Sequence, residues 1–401
     1  MFKELIFRAS LITLLAVMSL AACSKLAPSA PNENEILDGP IEGLTLAQMQ
    51  IHLKGDLAFN DEVFTIDNGL GPIFVASSCG SCHAGDGKGH PFSTLTRFGQ
   101  SDTNGNKFLN QGGPQLQHRA IPGYAPEQIP NGASFSKFLP PANTGLGYLE
   151  LVSDADLIAM SDPNDLDRDG ISGVPNWKTL PNYIPPFKDA IEKNTKYIHR
   201  FGKKAAAYNL LHQTVNAYNQ DMGITSFYEP TDAYSGLAIA PEVSNTTLND
   251  VVFYLQTLKA PIQRNENNEN VIEGKNKFIS IGCEKCHKQT LRTGYSPVES
   301  LSFKEFHPFT DLLLHDMGKQ LDDGYTEGSA LTSEWRTPPL WGLGLSPNSQ
   351  GGQYFLLHDG RAHNIEESIL MHGGEASVCI DAYKKLTPTE RQTILNFLQS
   401  L

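Results

Sequence analysis

The chain has 401 residues, 35 of them Gly and 25 Pro, with 40% apolar and 19% charged side chains and a formal charge of -13. That length suits two or three domains, and that apolar fraction supplies a core, so wholesale disorder is excluded. The acidic balance leaves no basic face to neutralise phosphates, so nucleic acid is not an expected partner, and no run of about 18 apolar residues marks an internal membrane span.

Lys3 and Arg8 precede an apolar run over 11–22 that is too short to cross a bilayer. Residues 1–22 therefore read as a signal peptide. The run closes in Leu20-Ala21-Ala22-Cys23, which resembles the lipobox of bacterial lipoproteins. That resemblance implies a lipid on Cys23. Ser24 in place of Asp implies sorting to the outer membrane, facing the periplasm, with the membrane touched through the lipid anchor only. A plain secretory signal with a chance Cys is the alternative. Residues 23–44, with Pro28, Ser29, Pro31, Asn32 and Asn34, read as a flexible tether.

Cys79-Gly80-Ser81-Cys82-His83 and Cys283-Glu284-Lys285-Cys286-His287 are both C-x-x-C-H, the attachment motif of c-type haem. Two thiols one helical turn apart reach the two vinyl groups of one porphyrin, and the adjacent His lies under the iron. A zinc site needs no His directly after each pair, and a redox C-x-x-C belongs in a thioredoxin-like strand–helix setting that this sequence lacks. Two covalently bound haem c are thus expected, with His83 and His287 as proximal ligands, and their attachment requires export. Cys379 is left over. It reads as a buried small hydrophobe or as a redox thiol, and nothing cationic is evidently placed to activate it.

Each motif follows a Gly-containing approach, Leu70-Gly71-Pro72-Ile73-Phe74 before the first and Gly274-Lys275-Asn276-Lys277-Phe278 before the second. Each half closes with an amphipathic helix. One covers 248–258 and is ended by Pro261; the other covers 389–401 behind the start signal Thr387-Pro388-Thr389-Glu390. Residues 263–268 read as a linker. The expected fold is mainly α, with two cytochrome c-like haem domains over 45–264 and 265–401, the first enlarged by loop-rich insertions. In that insertion Asp165, Asp167 and Asp169 hold the alternating positions of a calcium loop, with Gly170 at the turn and Asn176 where a Glu would complete it. Bound calcium and a solvated Asx turn are the two readings. A long helical stretch is expected over 203–221.

With both motifs placed, the chain resembles the di-haem cytochrome c peroxidase and MauG superfamily, and more narrowly its di-haem oxidoreductases. The markers include Gly145-Leu146-Gly147-Tyr148-Leu149-Glu150, Arg200-Phe201-Gly202-Lys203-Lys204-Ala205, Asp311-Leu312-Leu313-Leu314-His315-Asp316-Met317-Gly318, Trp335-Arg336-Thr337-Pro338-Pro339-Leu340-Trp341, His358-Asp359-Gly360-Arg361 and His372-Gly373-Gly374-Glu375-Ala376. In the di-haem peroxidases the segment matching His358-Asp359-Gly360 is followed, 14 residues after its His, by the Met that ligates the electron-transfer haem. The same count from His358 reaches His372, beside Met371. Axial ligation of the second haem by His287 and His372 is therefore expected, with a lower potential than a His/Met pair gives; a His372 at the surface or behind a ligand, and Met371 as the ligand, are the alternatives.

The resemblance also implies a Glu in the region of Glu150 as acid/base at the first, reactive haem; a helix N-terminal charge is the other reading. His90 and His118 are candidates for a releasable sixth ligand there, and His90 alternatively bonds a propionate. Arg336 and Arg361 suit haem propionates or structural salt bridges. Trp177, Trp335 and Trp341 suit core packing, or one of them an electron relay. The function expected is hydrogen peroxide reduction at the first haem, with electrons delivered to the second by a small redox protein of cytochrome or cupredoxin type. MauG-like oxidation of a partner protein or thiol, and a lipid-anchored electron carrier without catalysis, are the alternatives.

Overall fold

The computed structural model describes residues 37–100 and 105–401, together with residues 32 and 35. The expected signal peptide, the lipidation residue Cys23 and most of the tether lie outside the described residues. In chain order the helices are α1 (Leu46–Asn60), α2 (Leu146–Glu150), α3 (Asp154–Met160), α4 (Leu210–Asn216), α5 (Asn245–Thr257), α6 (Glu269–Ser280), α7 (Ser346–Ser349), α8 (Ile365–Leu370), α9 (Ser377–Lys385) and α10 (Pro388–Ser400). Short strands join the loops as antiparallel pairs: β1 (Ile73–Phe74) with β3 (Arg119–Ala120), β2 (Leu95–Phe98) with β4 (Phe135–Phe138), β5 (Asn176–Lys178) with β6 (Tyr197–His199), β7 (Leu291–Arg292) with β8 (Glu305–Phe306), and β9 (Leu314–Asp316) with β10 (Glu334–Arg336). The fold is mainly helical with long loops. Among the described residues no helix is long and apolar enough to cross a membrane.

Two helix crossings carry the architecture. The hydroxyl of Thr45 accepts the Gln48 N–H while Gln48 reaches back to the Thr45 N–H, and this reciprocal cap starts α1. Thr387 and Glu390 make the same cap on α10, as its sequence predicts. Helix α1 crosses α5 at Gly55, where a Cβ would lie 2.1 Å from the Asp250 carbonyl oxygen. Helix α6 crosses α10 at Gly274, where a Cβ would lie 1.9 Å from that of Thr393. Only glycine lets the backbones meet so closely.

Four residues beyond each glycine a Phe packs on a motif imidazole. Phe59 and His83 have ring centroids 6.0 Å apart at 52°; Phe278 and His287 are 6.2 Å apart at 54°. The internal repeat is therefore Gly55 to Phe59 with Gly274 to Phe278. This corrects the match made with 70–74, where Ile73 and Phe74 instead form β1.

Residues 37–401 form one compact unit. One hydrophobic cluster gathers Phe59, Leu149, Val215, Leu248, Val251 and Leu255, and it also takes in Leu291, Phe306, Leu312 and Trp341 from beyond residue 265. A second cluster is built from Val271, Phe278, Ile365, Ile394, Phe397 and Leu398.

Two elements depart from expectation. Folded structure begins before residue 44: Pro40 bridges Leu258, and Ile41, buried, donates its N–H to the Thr257 carbonyl. The helix expected over 203–221 is only α4 and a π-turn, Ala217–Asp221. Residues 201–207 instead close a loop, with Phe201 bridging Ala207 and the Lys204 ammonium donating to the carbonyls of Leu331, Thr332 and Glu334. Asn209 then caps α4 by accepting the His212 N–H.

Candidate haem centres

Each C-x-x-C-H motif closes one helical turn. The N–H groups of Cys82 and His83 both donate to the Cys79 carbonyl, and that of His287 donates to the Cys283 carbonyl. Both thiols of a pair thus face one side, with the His following on. The Nδ1 of His83 lies 2.9 Å from the Pro141 carbonyl oxygen, and that of His287 lies 3.0 Å from the Phe309 carbonyl oxygen. A carbonyl only accepts, so Nδ1 carries the hydrogen and Nε2 keeps its lone pair, the tautomer a metal requires. Burial lowers both imidazole pKa values to about 4, so the rings are neutral near pH 7. Burial also pushes the Cys79 and Cys283 thiols up to about 12 and Cys82 to about 11, the opposite of an activated redox pair.

The second motif opens on a cavity of about 240 Å³. Phe278, Cys283, Cys286 and His287 line it, as do His372, Ile365 and Leu398. The Nδ1 of His372, at the C-terminal end of α8, lies 2.7 Å from the Ser368 carbonyl oxygen, so its Nε2 is also a bare acceptor. Burial lowers its pKa as well. His287 and His372 are thereby brought to one cavity in matching tautomers. Met371 packs into the second hydrophobic cluster instead.

Three cations reach the same cavity: Lys88, Lys203 and Arg336. Among the described residues no carboxylate pairs with any of them. Two donors of Arg336 are pinned by the carbonyls of Gly202 and Thr337, at 2.8 and 3.1 Å, leaving the rest to the cavity. Burial lowers Lys88 to about 8 and Arg336 to about 10; burial, with Lys88 and Arg336 nearby, lowers Lys203 to about 7. An apolar cavity with two bare imidazole acceptors and three cations that form no salt bridge among the described residues fits a dianionic haem, whose propionates would take the cations. Buried polar atoms without partners mark the first motif. The Tyr218 hydroxyl and the Glu62 Oε2, both interacting electrostatically with Cys79, have no protein partner among the described residues.

The other sequence candidates are placed as follows. Arg361 turns from the cavity; it pairs with Asp359 at 2.7 Å and Asp323 at 3.1 Å, the salt-bridge reading rather than the propionate one. Glu150 is buried, with Oε1 accepting the Leu210 N–H and Oε2 accepting Gln256 Nε2, each at 2.7 Å. Burial raises its pKa, as a proton donor needs. His90 accepts the Phe92 N–H at Nδ1 and caps the turn Pro91–Ser93, which leaves its hydrogen on Nε2 and removes the lone pair a ligand needs. His118 is exposed.

Asp165 and Asp167 are grouped with Asp162, not with Asp169. Asp169 faces away to Lys285 of the second motif, 2.8 Å off. Trp335 lines the cavity and stacks on His358, with centroids 3.7 Å apart at 11°. Trp341 belongs to the first hydrophobic cluster, and Trp177 lies under the Lys193 ammonium. Cys379 is buried and lines the cavity beside Gly282; burial raises its pKa, as for an inert thiol. Lys88, Lys203, Glu62 and Tyr218 were not legible as site residues, because nothing in their local sequence separates them from surface cations or core side chains.

The family model described as "Di-haem oxidoreductase, putative peroxidase" matches residues 139–401, more than half of the chain, and the chain belongs to this di-haem oxidoreductase family. No curated protein matches it. Among solved structures, a chain of the hydrazine synthase of Kuenenia stuttgartiensis is similar over 94% of this chain and 96% of its own, with 14% identity and a TM-score of 0.38.

Proposed function

We propose that this di-haem oxidoreductase is a hydrogen peroxide reductase of the cell envelope, its two haem c groups supplying peroxide cleavage at the first motif and electron entry at the second. The observation that carries the reading is the meeting of His287 and His372 in one cavity, each with Nδ1 tied to a backbone carbonyl and Nε2 bare. Two neutral imidazoles held this way would ligate a haem iron, and the group would supply low-potential electron transfer rather than a place for substrate.

Cys283 and Cys286 would hold the group covalently at this site, and Lys88, Lys203 and Arg336 would neutralise its carboxylates. At the first site Cys79, Cys82 and His83 provide the same covalent and proximal frame. Of the sequence candidates for a sixth ligand there, His90 is committed to a turn and His118 is exposed, so neither is held as His372 is. Glu150 is our candidate proton carrier: its pKa is raised, and Gln256 is the partner it would release. The donor is a small cytochrome or cupredoxin. Cys23 carries the lipid, placing the chain on the outer membrane and facing the periplasm.

The test is absorption and EPR spectroscopy of the haem-loaded protein, oxidised and half-reduced, with and without a small excess of peroxide. One bis-imidazole low-spin haem plus a high-spin haem that peroxide consumes is the expected outcome. Two low-spin haems indifferent to peroxide in every state would leave an electron carrier.

A further inference from the structure

One buried charge cluster has no part in the chemistry above, and it lies against the second motif. His315, on β9, is 3% exposed. Its Nε2 lies 2.9 Å from Asp311 Oδ2 and its Nδ1 2.7 Å from Glu375 Oε2. Carboxylates only accept, so both ring nitrogens carry hydrogen and the ring is an imidazolium. The same Nδ1 is 3.5 Å from the Cys286 sulfur, and His315 and Glu375 both line the cavity. Two carboxylates and one imidazolium leave a net charge of about -1 beside the second motif.

The cluster is held from several sides. Asp311 Oδ1 accepts the Leu313 N–H. Glu375 accepts the Ser172 hydroxyl at 2.6 Å, the Ser172 N–H at 3.1 Å and the Asp316 N–H at 3.3 Å. Ile171 lines the cavity and Asp169 pairs with Lys285 inside the second motif, so the inserted loop and the cluster grip this edge together. Arg336, which lines the same cavity, interacts electrostatically with Asp311.

We infer that Asp311, His315 and Glu375 form a fixed anionic cluster that lowers the reduction potential of the second haem. The inference rests on the assignment of a haem to the Cys283–His287 motif and deepens the electron-entry role given to it. Reduction removes one positive charge from the iron centre. A buried negative charge at its edge therefore favours the oxidised form, and in a poorly solvated cavity the effect is little screened. It acts in the same direction as His372, so both features set the second haem as a low-potential donor to the first. These three are positioning residues, since none touches substrate or iron.

The experiment is potentiometric titration of the haem-loaded double variant Asp311→Asn/Glu375→Gln, followed by absorption for both haems. Without either carboxylate His315 is neutral, and the cluster's net charge is gone. The expected result is an upward shift of the second midpoint potential, with the first unshifted and the low-spin EPR signature retained. An unshifted second potential with that signature retained would overturn the inference and leave a purely structural cluster. Should the double variant fail to mature, Glu375→Gln alone serves: Asp311 still holds His315 charged, the same direction of shift is expected, and no shift overturns the inference. The failure of the bis-imidazole assignment is read separately, from the wild-type EPR spectrum, and leaves this difference between variant and wild type intact.

Discussion

Replacing Lys203 by Met moves the stability of the protein in opposite directions with and without haem. Among the described residues no carboxylate pairs with this ammonium, and burial, with Lys88 and Arg336 nearby, lowers its pKa from the ordinary 10.5 to about 7. At ~1.4 kcal/mol per pH unit, keeping the charge there costs the haem-free fold at most ~5 kcal/mol. Lys203 is only half-buried on the cavity wall, and water screening reduces this to about 2 kcal/mol. Between pH 7 and 10.5 the unfolded chain still binds the proton that the folded chain has given up. Stability of the haem-free protein therefore rises across that window, and the cost is fully present below it.

Lys203→Met removes the cost, so the haem-free variant gains about 2 kcal/mol near pH 6 and loses the rise with pH. In the haem-loaded protein the same change deletes a charge-assisted bond to a propionate and costs about 1.5–3 kcal/mol. Denaturant unfolding of both forms, at about pH 6 and about pH 9, reads the two signs. Equal destabilisation of both forms would refute the reasoning, because Lys203 would then hold the polypeptide and not a carboxylate in the cavity.

Four further outcomes are expected. Asp154→Ala strands the Arg200 guanidinium, which is 1% exposed and paired at 2.5 Å, and should lower unfolding free energy by about 3–5 kcal/mol in denaturant titration. Gly274→Ala should destabilise by about 2 kcal/mol despite the better helix propensity of Ala, because its Cβ meets the Thr393 carbonyl; a rise in melting temperature would contradict the crossing. Glu150→Gln keeps the shape and should reduce peroxide turnover about 100-fold or more with the melting temperature nearly unchanged; full turnover would make Glu150 only the tie between α4 and α5. His372→Met should raise the midpoint potential of the second haem and introduce a thioether-to-iron absorption band, and an unaltered spectrum would remove His372 as ligand.

What the sequence revealed was local or countable. The two C-x-x-C-H turns lie within five residues each, both closing helices have their caps and apolar periodicity in one stretch, and His372 is reached by counting from His358. What it hid was assembled from afar. Lys88, Lys203 and Arg336 come from three distant segments, and no period or spacing joins them. The 70–74 segment resembles the repeat partner because 19 residues separate Phe59 from Cys79, against four between Phe278 and Cys283, and that insertion distances the true partner from its motif. Asp165 and Asp167 carried the alternating pattern, yet the third carboxylate comes from Asp162, since Lys285 draws Asp169 away. The 203–221 stretch has helical composition, but a buried ammonium with three carbonyl acceptors outweighs propensity over its first turn.

The duplicated frame makes the difference between the two centres informative. Both have a Gly-crossed helix pair, a Phe against the motif imidazole and a carbonyl fixing its tautomer, at distances that agree within 0.2 Å for the ring pairs. A frame so alike gives the two proximal imidazoles similar electronics, so any division of labour must come from the far side and from the surroundings. There the second site has His372 held by Ser368, three cations and the Asp311–His315–Glu375 cluster. The first site has His90 committed to a turn, His118 in solvent, and the unpartnered Tyr218 and Glu62 oxygens close to Cys79. One site gathers a second tied imidazole and fixed charges, while the other has buried polar oxygens without a protein partner among the described residues. That asymmetry supports the proposed division into an electron-entry haem and a substrate haem over two equivalent carriers.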